Sequence, residues 1–214
     1  MTTEKNVQES DVHKQLLKNA QDISPRLSAA IKQNGPVVLN PKRDTPFAEH
    51  LCRAVTGQQL SVKAAAAIWG RVVDSVPENT ALMDYFLSAD PQALRECGLS
   101  RAKAKTVGAI ATAASQGQLD AAELAALTNL ERTKRLTKLW GIGPWTTDMM
   151  GIFYFGNPDI WPEGDLAARK TLERLTSKRR KTLRTAAQFA PYRSYLALHM
   201  WQYVDAKPDE SAKP

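Results

Sequence analysis

A chain of 214 residues, 43% of them hydrophobic, is long enough to bury a substantial core, as one large domain or two small lobes. Its formal net charge of +7 suits an acidic polymer or an anionic membrane surface, but no apolar run approaches bilayer length and no signal peptide precedes the charged opening residues 1–5. Two cysteines, Cys52 and Cys97, supply neither a disulfide framework nor a four-cysteine metal or cluster site, so a soluble intracellular protein is expected.

Residues 1–12 and 207–214 are polar and are predicted as flexible tails around a single domain over residues 13–206. From His13 the pattern is helical, with Leu16, Leu17 and Ala20, a break near Pro25, and then Leu27 to Ile31, ending at Gly35-Pro36. Asp44-Thr45-Pro46 predicts a capped helix start, with Phe47, Leu51 and Val55 on one face. A turn follows over residues 56–66. Adjacent glutamines, Gln58 and Gln59, offer uncharged polar groups suited to base edges or sugars, and Leu60 is a candidate wedge. Read alone, the turn is first an ordinary helical corner with solvated glutamines, Ser61 capping a helix through Ala64 to Val73. Asp90-Pro91 starts a short helix that Gly98 ends, and Ser100 caps a longer one through Ala114, stopped near Gly117.

The central stretch begins with a basic and apolar run, residues 130–140, in which Leu130, Leu136 and Leu139 recur at roughly helical spacing. Gly141 supplies a positive-φ stop, Gly143 allows close backbone approach, and Pro144 opens the next helix, where its missing N–H costs nothing. Such a hairpin turns a helix N-terminus outward as an anion site, and Arg132, Lys134, Arg135 and Lys138 make phosphate the expected anion. After a loop over residues 156–164, Asp165 precedes a new helical pattern and is by itself a natural N-cap. Lys178 to Lys181 form a basic run with a general electrostatic role, and His199 is expected as a packed histidine. Convincing alternating strands are absent, so the fold is predicted to be all-α.

Taken together, Leu139-x-Gly141-Ile142-Gly143-Pro144-Trp145-Thr146 followed by Pro162-x-x-Asp165 resembles the helix-hairpin-helix DNA glycosylase superfamily, in its 3-methyladenine DNA glycosylase II branch. Further matches are Gly57-Gln58-Gln59-Leu60-Ser61, Gly98-Leu99-Ser100-x-x-Lys103, and the closing segment with Tyr192, Tyr195 and Trp201. The resemblance spans roughly residues 47–201. It implies two helical lobes around a cleft, with Asp165 as the catalytic carboxylate and Trp145, Met149, Trp161 and Trp201 around the base. It implies DNA contacts from Gln58, Gln59, Leu60 and Ser61, with either Gln59 or Leu60 as the intruding residue. Gly98, Ser100 and Lys103 are implied at a second helix start, and Trp140, Gly141, Ile142, Gly143 and Thr146 at the hairpin, where carbonyls of Leu139 and Gly141 could hold a cation. No side-chain metal site and no cofactor are expected.

The implied partner is double-stranded DNA with alkylated bases, met by a monomer in the cytoplasm (on the nucleoid in a bacterium) or in a eukaryotic nucleus. The implied activity is excision of cationic purines such as 3-methyladenine by base flipping and N-glycosidic hydrolysis, the opening step of base excision repair. Bifunctional members place a lysine on the hairpin's second helix for Schiff-base chemistry, whereas this chain has Trp145 there, which implies a monofunctional enzyme. Two departures stand out. The segment before Phe47 is too short for the N-terminal α/β domain of larger bacterial members, and Gly164 replaces the second acid of some relatives. A bifunctional glycosylase/lyase and a non-catalytic DNA-binding module, with Asp165 only a cap, are the alternatives.

Overall fold

The computed structural model describes residues 2–206, with side chains from residue 10 onward. In chain order the helices are α1 (Thr2–Ile23), α2 (Pro25–Asn34), α3 (Phe47–Gly57), α4 (Val62–Asp74), α5 (Leu82–Ser88), α6 (Pro91–Glu96) and α7 (Arg101–Ser115). They continue as α8 (Ala121–Ala126), α9 (Asn129–Leu136), α10 (Pro144–Phe153), α11 (Leu166–Leu175), α12 (Thr182–Ala187) and α13 (Arg193–Asp205). No strand occurs among the described residues, so the fold is all-α, and no described helix is long and apolar enough to cross a membrane.

Helix starts follow local chemistry. Ser61, Asp90, Ser100, Asp120 and Thr128 each accept a first-turn backbone N–H through the side chain, and Thr128 with Glu131 completes a reciprocal capping box. Several expectations need correction. The helix begins at Thr2 rather than His13, and Val12 on it is buried; residue 1 and residues 207–214 lie outside the described residues. Asp44 does not cap α3, whose N-cap is Pro46 without a side-chain hydrogen bond. The run 130–140 is not one helix: α9 ends at Leu136, and Leu130 is 63% exposed because the capping box starts the helix with that side facing out. Helices α5, α8 and α12 go unpredicted.

The chain divides into two compact units. The terminal unit joins Met1–Pro41 to Gly156–Pro214, and the central unit is Lys42–Phe155. In the terminal unit α1 packs on α2 and α11 on α13, burying Leu16, Leu27, Ile31, Leu172, Leu196 and Phe189 in one core. Ser24, between α1 and α2, donates from Oγ to the Leu175 carbonyl at 2.7 Å, fixing the end of α11 against that corner. In the central unit α7 packs on α3, α5 and α6, and Leu51, Val55, Phe86, Val107 and Ile110 are buried. Its two chain ends are laced together: Lys42 N–H donates to the Phe153 carbonyl at 2.8 Å, and the Arg43 guanidinium donates to the carbonyls of Tyr154 and Phe155.

Candidate active site and DNA-binding hairpin

The hairpin joins α9 to α10 in the central unit. Leu139 N–H closes on the Leu136 carbonyl and Ile142 N–H on the Leu139 carbonyl, at 3.0 and 3.1 Å. Gly141 is left-handed at φ +81, and a Cβ there would collide with the Thr106 hydroxyl, so only glycine fits. Gly143 is the N-cap of α10, with open space where a side chain would stand, and Pro144 follows it. Ile142 is buried and Trp140 is 47% exposed, with Lys105 Nζ 4.3 Å above its ring. The Leu139 carbonyl, one of the two expected at a cation, serves the turn and keeps a second lone pair.

Two of the four basic residues expected around the hairpin are not there to meet an anion. Arg132 is 4% exposed, donates to the carbonyls of Leu124 and Leu127 at 2.9 Å, and stacks on Phe155. Its charge ties the α8–α9 corner. Arg135 is engaged by the Gln118 carbonyl and by Glu123, both at 2.9 Å. Lys134 and Lys138 are exposed.

The glutamine turn carries a clamp that sequence spacing does not reveal. Gln58 Nε2 donates to Thr146 Oγ1 at 2.9 Å, and Lys103 Nζ donates to the carbonyls of Thr56 and Gln58 at 2.9 and 2.8 Å. Burial lowers the Lys103 pKa. These bonds occupy side chains expected at the DNA: the Thr146 hydroxyl, 1% exposed, accepts from Gln58, Gln58 spends an amide hydrogen on it, and Lys103 fastens the turn with two of its three ammonium hydrogens. Gln59, in the left-handed region at φ +57, and Leu60, 41% exposed, are the residues the turn presents. Ser61 is spent on capping α4 and Ser100 on capping α7. Gly98 is exposed and sits at φ +106, and a Cβ there would stand 2.8 Å from the Arg71 guanidinium, so local packing demands the glycine.

In the terminal unit Asp165 is the N-cap of α11. Its Oδ1 accepts Ala168 N–H at 2.8 Å and the Trp201 indole N–H at 3.0 Å. The cap bond that starts the helix and the bond from Trp201 together orient a half-buried carboxyl group. Glu163, two residues earlier, accepts from Trp161 Nε1 at 2.6 Å and from the Thr182 hydroxyl, bracing the loop that delivers Asp165. Trp161 is only 6% exposed, and its ring belongs to the core rather than to an open wall. Met149, on α10, is likewise 8% exposed, whereas Trp145 and Trp201 are half-buried. His199 is packed as expected, 1% exposed, near Asn34 and His13, and burial with the His13 charge holds its pKa down to about 3.

Two residues were not anticipated. Lys105 adds a cation beside Trp140, across a separation no local pattern encodes. Asp148, three residues after Trp145 on α10, is raised to about 6 by burial, against a hydrogen bond from Asn129 that lowers it. Its position in the hairpin's second helix was the available signal. Among the described residues no group of three or more His, Cys, Asp or Glu side chains could hold a metal ion, and Cys52 and Cys97 are buried free thiols.

An all-α chain that turns a helix start outward through Gly-Ile-Gly-Pro is a helix-hairpin-helix protein. Residues 52–190 match the family model described as HhH-GPD superfamily base excision DNA repair protein, and the chain belongs to that superfamily. It is 35% identical over 167 residues to DNA-3-methyladenine glycosylase 1 of Schizosaccharomyces pombe, covering 72% of this chain and 71% of that protein. It is 28% identical over 198 residues to the alkylbase DNA glycosidase-like protein mag2 of the same yeast, covering 89% of this chain and 93% of that one. Among solved structures, the S. pombe 3-methyladenine DNA glycosylase in complex with abasic DNA superposes with a TM-score of 0.77 at 28% identity, covering 90% of this chain and 95% of that one. A DNA-3-methyladenine glycosidase from Bacillus halodurans gives 0.74 at 27% identity, covering 91% and 89%.

Proposed function

We propose that this protein is a monofunctional DNA glycosylase that removes alkylated, positively charged purines such as 3-methyladenine from duplex DNA and leaves an abasic site. The observation that carries the reading is the Asp165 carboxyl group, held at Oδ1 by Ala168 N–H and the Trp201 indole in a chain of the base-excision superfamily.

The chemistry follows from that group. A stacked base is out of reach, so the nucleotide is extruded, at an unstacking cost of a few kcal/mol on the order-of-magnitude scale. Phosphate gripping at the start of α10 and intrusion by Gln59 or Leu60 offset it. Breaking the N-glycosidic bond builds positive charge on the sugar. An oriented carboxylate at Asp165 stabilises that charge as it develops and can align the attacking water. An N3- or N7-alkylated purine already carries positive charge, so it departs without a strong general acid. The half-buried face of Trp201, whose indole N–H is bonded to the acid, favours such a cation over a neutral base. With Trp145 where a lyase needs its amine, no Schiff base forms and the strand stays intact. Action as a monomer, where the cell keeps its DNA, completes the reading.

The test is to incubate the protein with methylated duplex and assay base release and strand breaks with and without hot alkali. Release with breaks only after alkali is expected. Breaks without alkali would make the protein a lyase, and no release from any methylated duplex would leave a DNA-binding module.

A further inference from the structure

The basic turn between α11 and α12 has no part in the chemistry above. Arg179, Arg180 and Lys181 from the turn and Arg184 from α12 converge on a concavity of about 600 Å³, which they line together with Gln188 and one acid, Asp22. Four cations thus face one carboxylate. Among the described residues none of the four cations makes an ion pair. The turn is nevertheless built: Arg179 N–H donates to Ser177 Oγ at 3.2 Å, and Arg180 Nη1 donates to the Ile23 carbonyl at 3.3 Å. At its far end the Thr182 hydroxyl donates to Glu163 at 2.8 and 2.9 Å, which ties the turn to the loop ending in Asp165.

A solvated charge run spreads its side chains along one element. Here cations from a turn and from a helix share one hollow, where they repel one another until an anion enters. Guanidinium forks suit phosphate oxygens in particular. We propose that this concavity holds a phosphodiester of the DNA backbone, a strand contact in the terminal unit additional to the hairpin's in the central unit. The proposal rests on the DNA-repair reading above, and it gives the acid-bearing unit a phosphate anchor of its own.

Arg179→Ala with Arg184→Ala removes two cations while leaving Arg180 and the α12 start in place. The readout is the slope of log affinity for undamaged duplex against log salt concentration. Each phosphate contact contributes about 0.9 to that slope, so losing one shrinks the affinity gained between about 200 and about 50 mM salt roughly threefold. The surface control Lys14→Ala with Lys18→Ala, with the same net charge loss, is expected to leave the slope near the unaltered value, and Arg179→Lys with Arg184→Lys to restore most of it. A melting temperature shared by all variants keeps the comparison like for like. An unchanged slope in the alanine pair, or an equal fall in the control, overturns the inference. If the alanine pair loses binding of inorganic phosphate yet keeps the unaltered slope for duplex, the hollow takes free phosphate and the backbone assignment falls. Failure of the unaltered protein to bind duplex at all would overturn the repair reading itself, a distinct result.

Discussion

At the scale of single residues, Asp165 has two donors on one oxygen, from Ala168 and from Trp201 36 positions away. Asp165→Asn keeps the size and removes the charge, so base release is expected to fall by about two to three orders of magnitude or more, with duplex binding retained, as measured by single-turnover excision beside a gel shift. Trp201→Phe removes one donor and keeps an aromatic face. The expected result is a turnover roughly tenfold or more lower, from a hydrogen bond to a charged group worth about 1.5–3 kcal/mol, with a smaller change in KM. Asp148 makes a prediction about stability. Its raised value means that the folded protein binds a proton more tightly than the unfolded chain between the ordinary carboxylate range and about 6. Stability from this group is therefore present at low pH and lost as pH rises through about 6. Above that window Asp148→Asn should stabilise the fold by on the order of 1–2 kcal/mol after allowance for solvent screening. Asn129 Oδ1, buried without a partner, then gains a neighbour able to donate. Thermal melts at about pH 7.5 should favour the variant, and the gap should narrow by about pH 4.

Among elements, the clamp formed by Lys103 and Thr146 turns a loop into a fixed projection. Lys103→Met leaves two carbonyls without their ammonium, at roughly 1.5–3 kcal/mol, and amide exchange should speed up over residues 57–61 more than elsewhere. Unaltered protection there would remove Lys103 from this role. The hairpin and the cap of α11 were legible in sequence because each is local: Gly141, Pro144 and Asp165 act on neighbours within one turn. What was illegible needed a fold. A lysine three residues into α7 reads as a solvent-facing charge until α3 is packed beside it, and Arg132 reads as a phosphate ligand until Phe155 and the α8 carbonyls surround it. Trp161 and Met149 were assigned to a pocket on resemblance, and packing drew both into the interior.

For the molecule as a whole, the division into units separates two duties in the chain. The hairpin, the clamp and the presented Gln59 and Leu60 belong to one continuous segment, Lys42–Phe155, whereas Asp165, Trp201 and the basic hollow belong to a unit made from both ends of the chain. A fragment of residues 42–155 has its own core and laced ends, so it should keep a helical circular dichroism spectrum and melt cooperatively. It should hold duplex weakly without releasing any base. A fragment of that length that stays unfolded would show that its core depends on the remainder of the chain. That the units exist was only partly readable beforehand: their boundary at Pro41 and Gly156 carries turn residues, but only the contacts among α1, α2, α11 and α13 show that distant segments close into one body.

This arrangement also orders events during synthesis. A nascent chain completes the strand-gripping segment before it has made α13, and domains collapse as units as they emerge from the ribosome. Trp201, whose indole holds the Asp165 carboxyl group, is made only after that segment is complete. The newborn protein can thus hold a nucleic acid before it is able to cut a glycosidic bond.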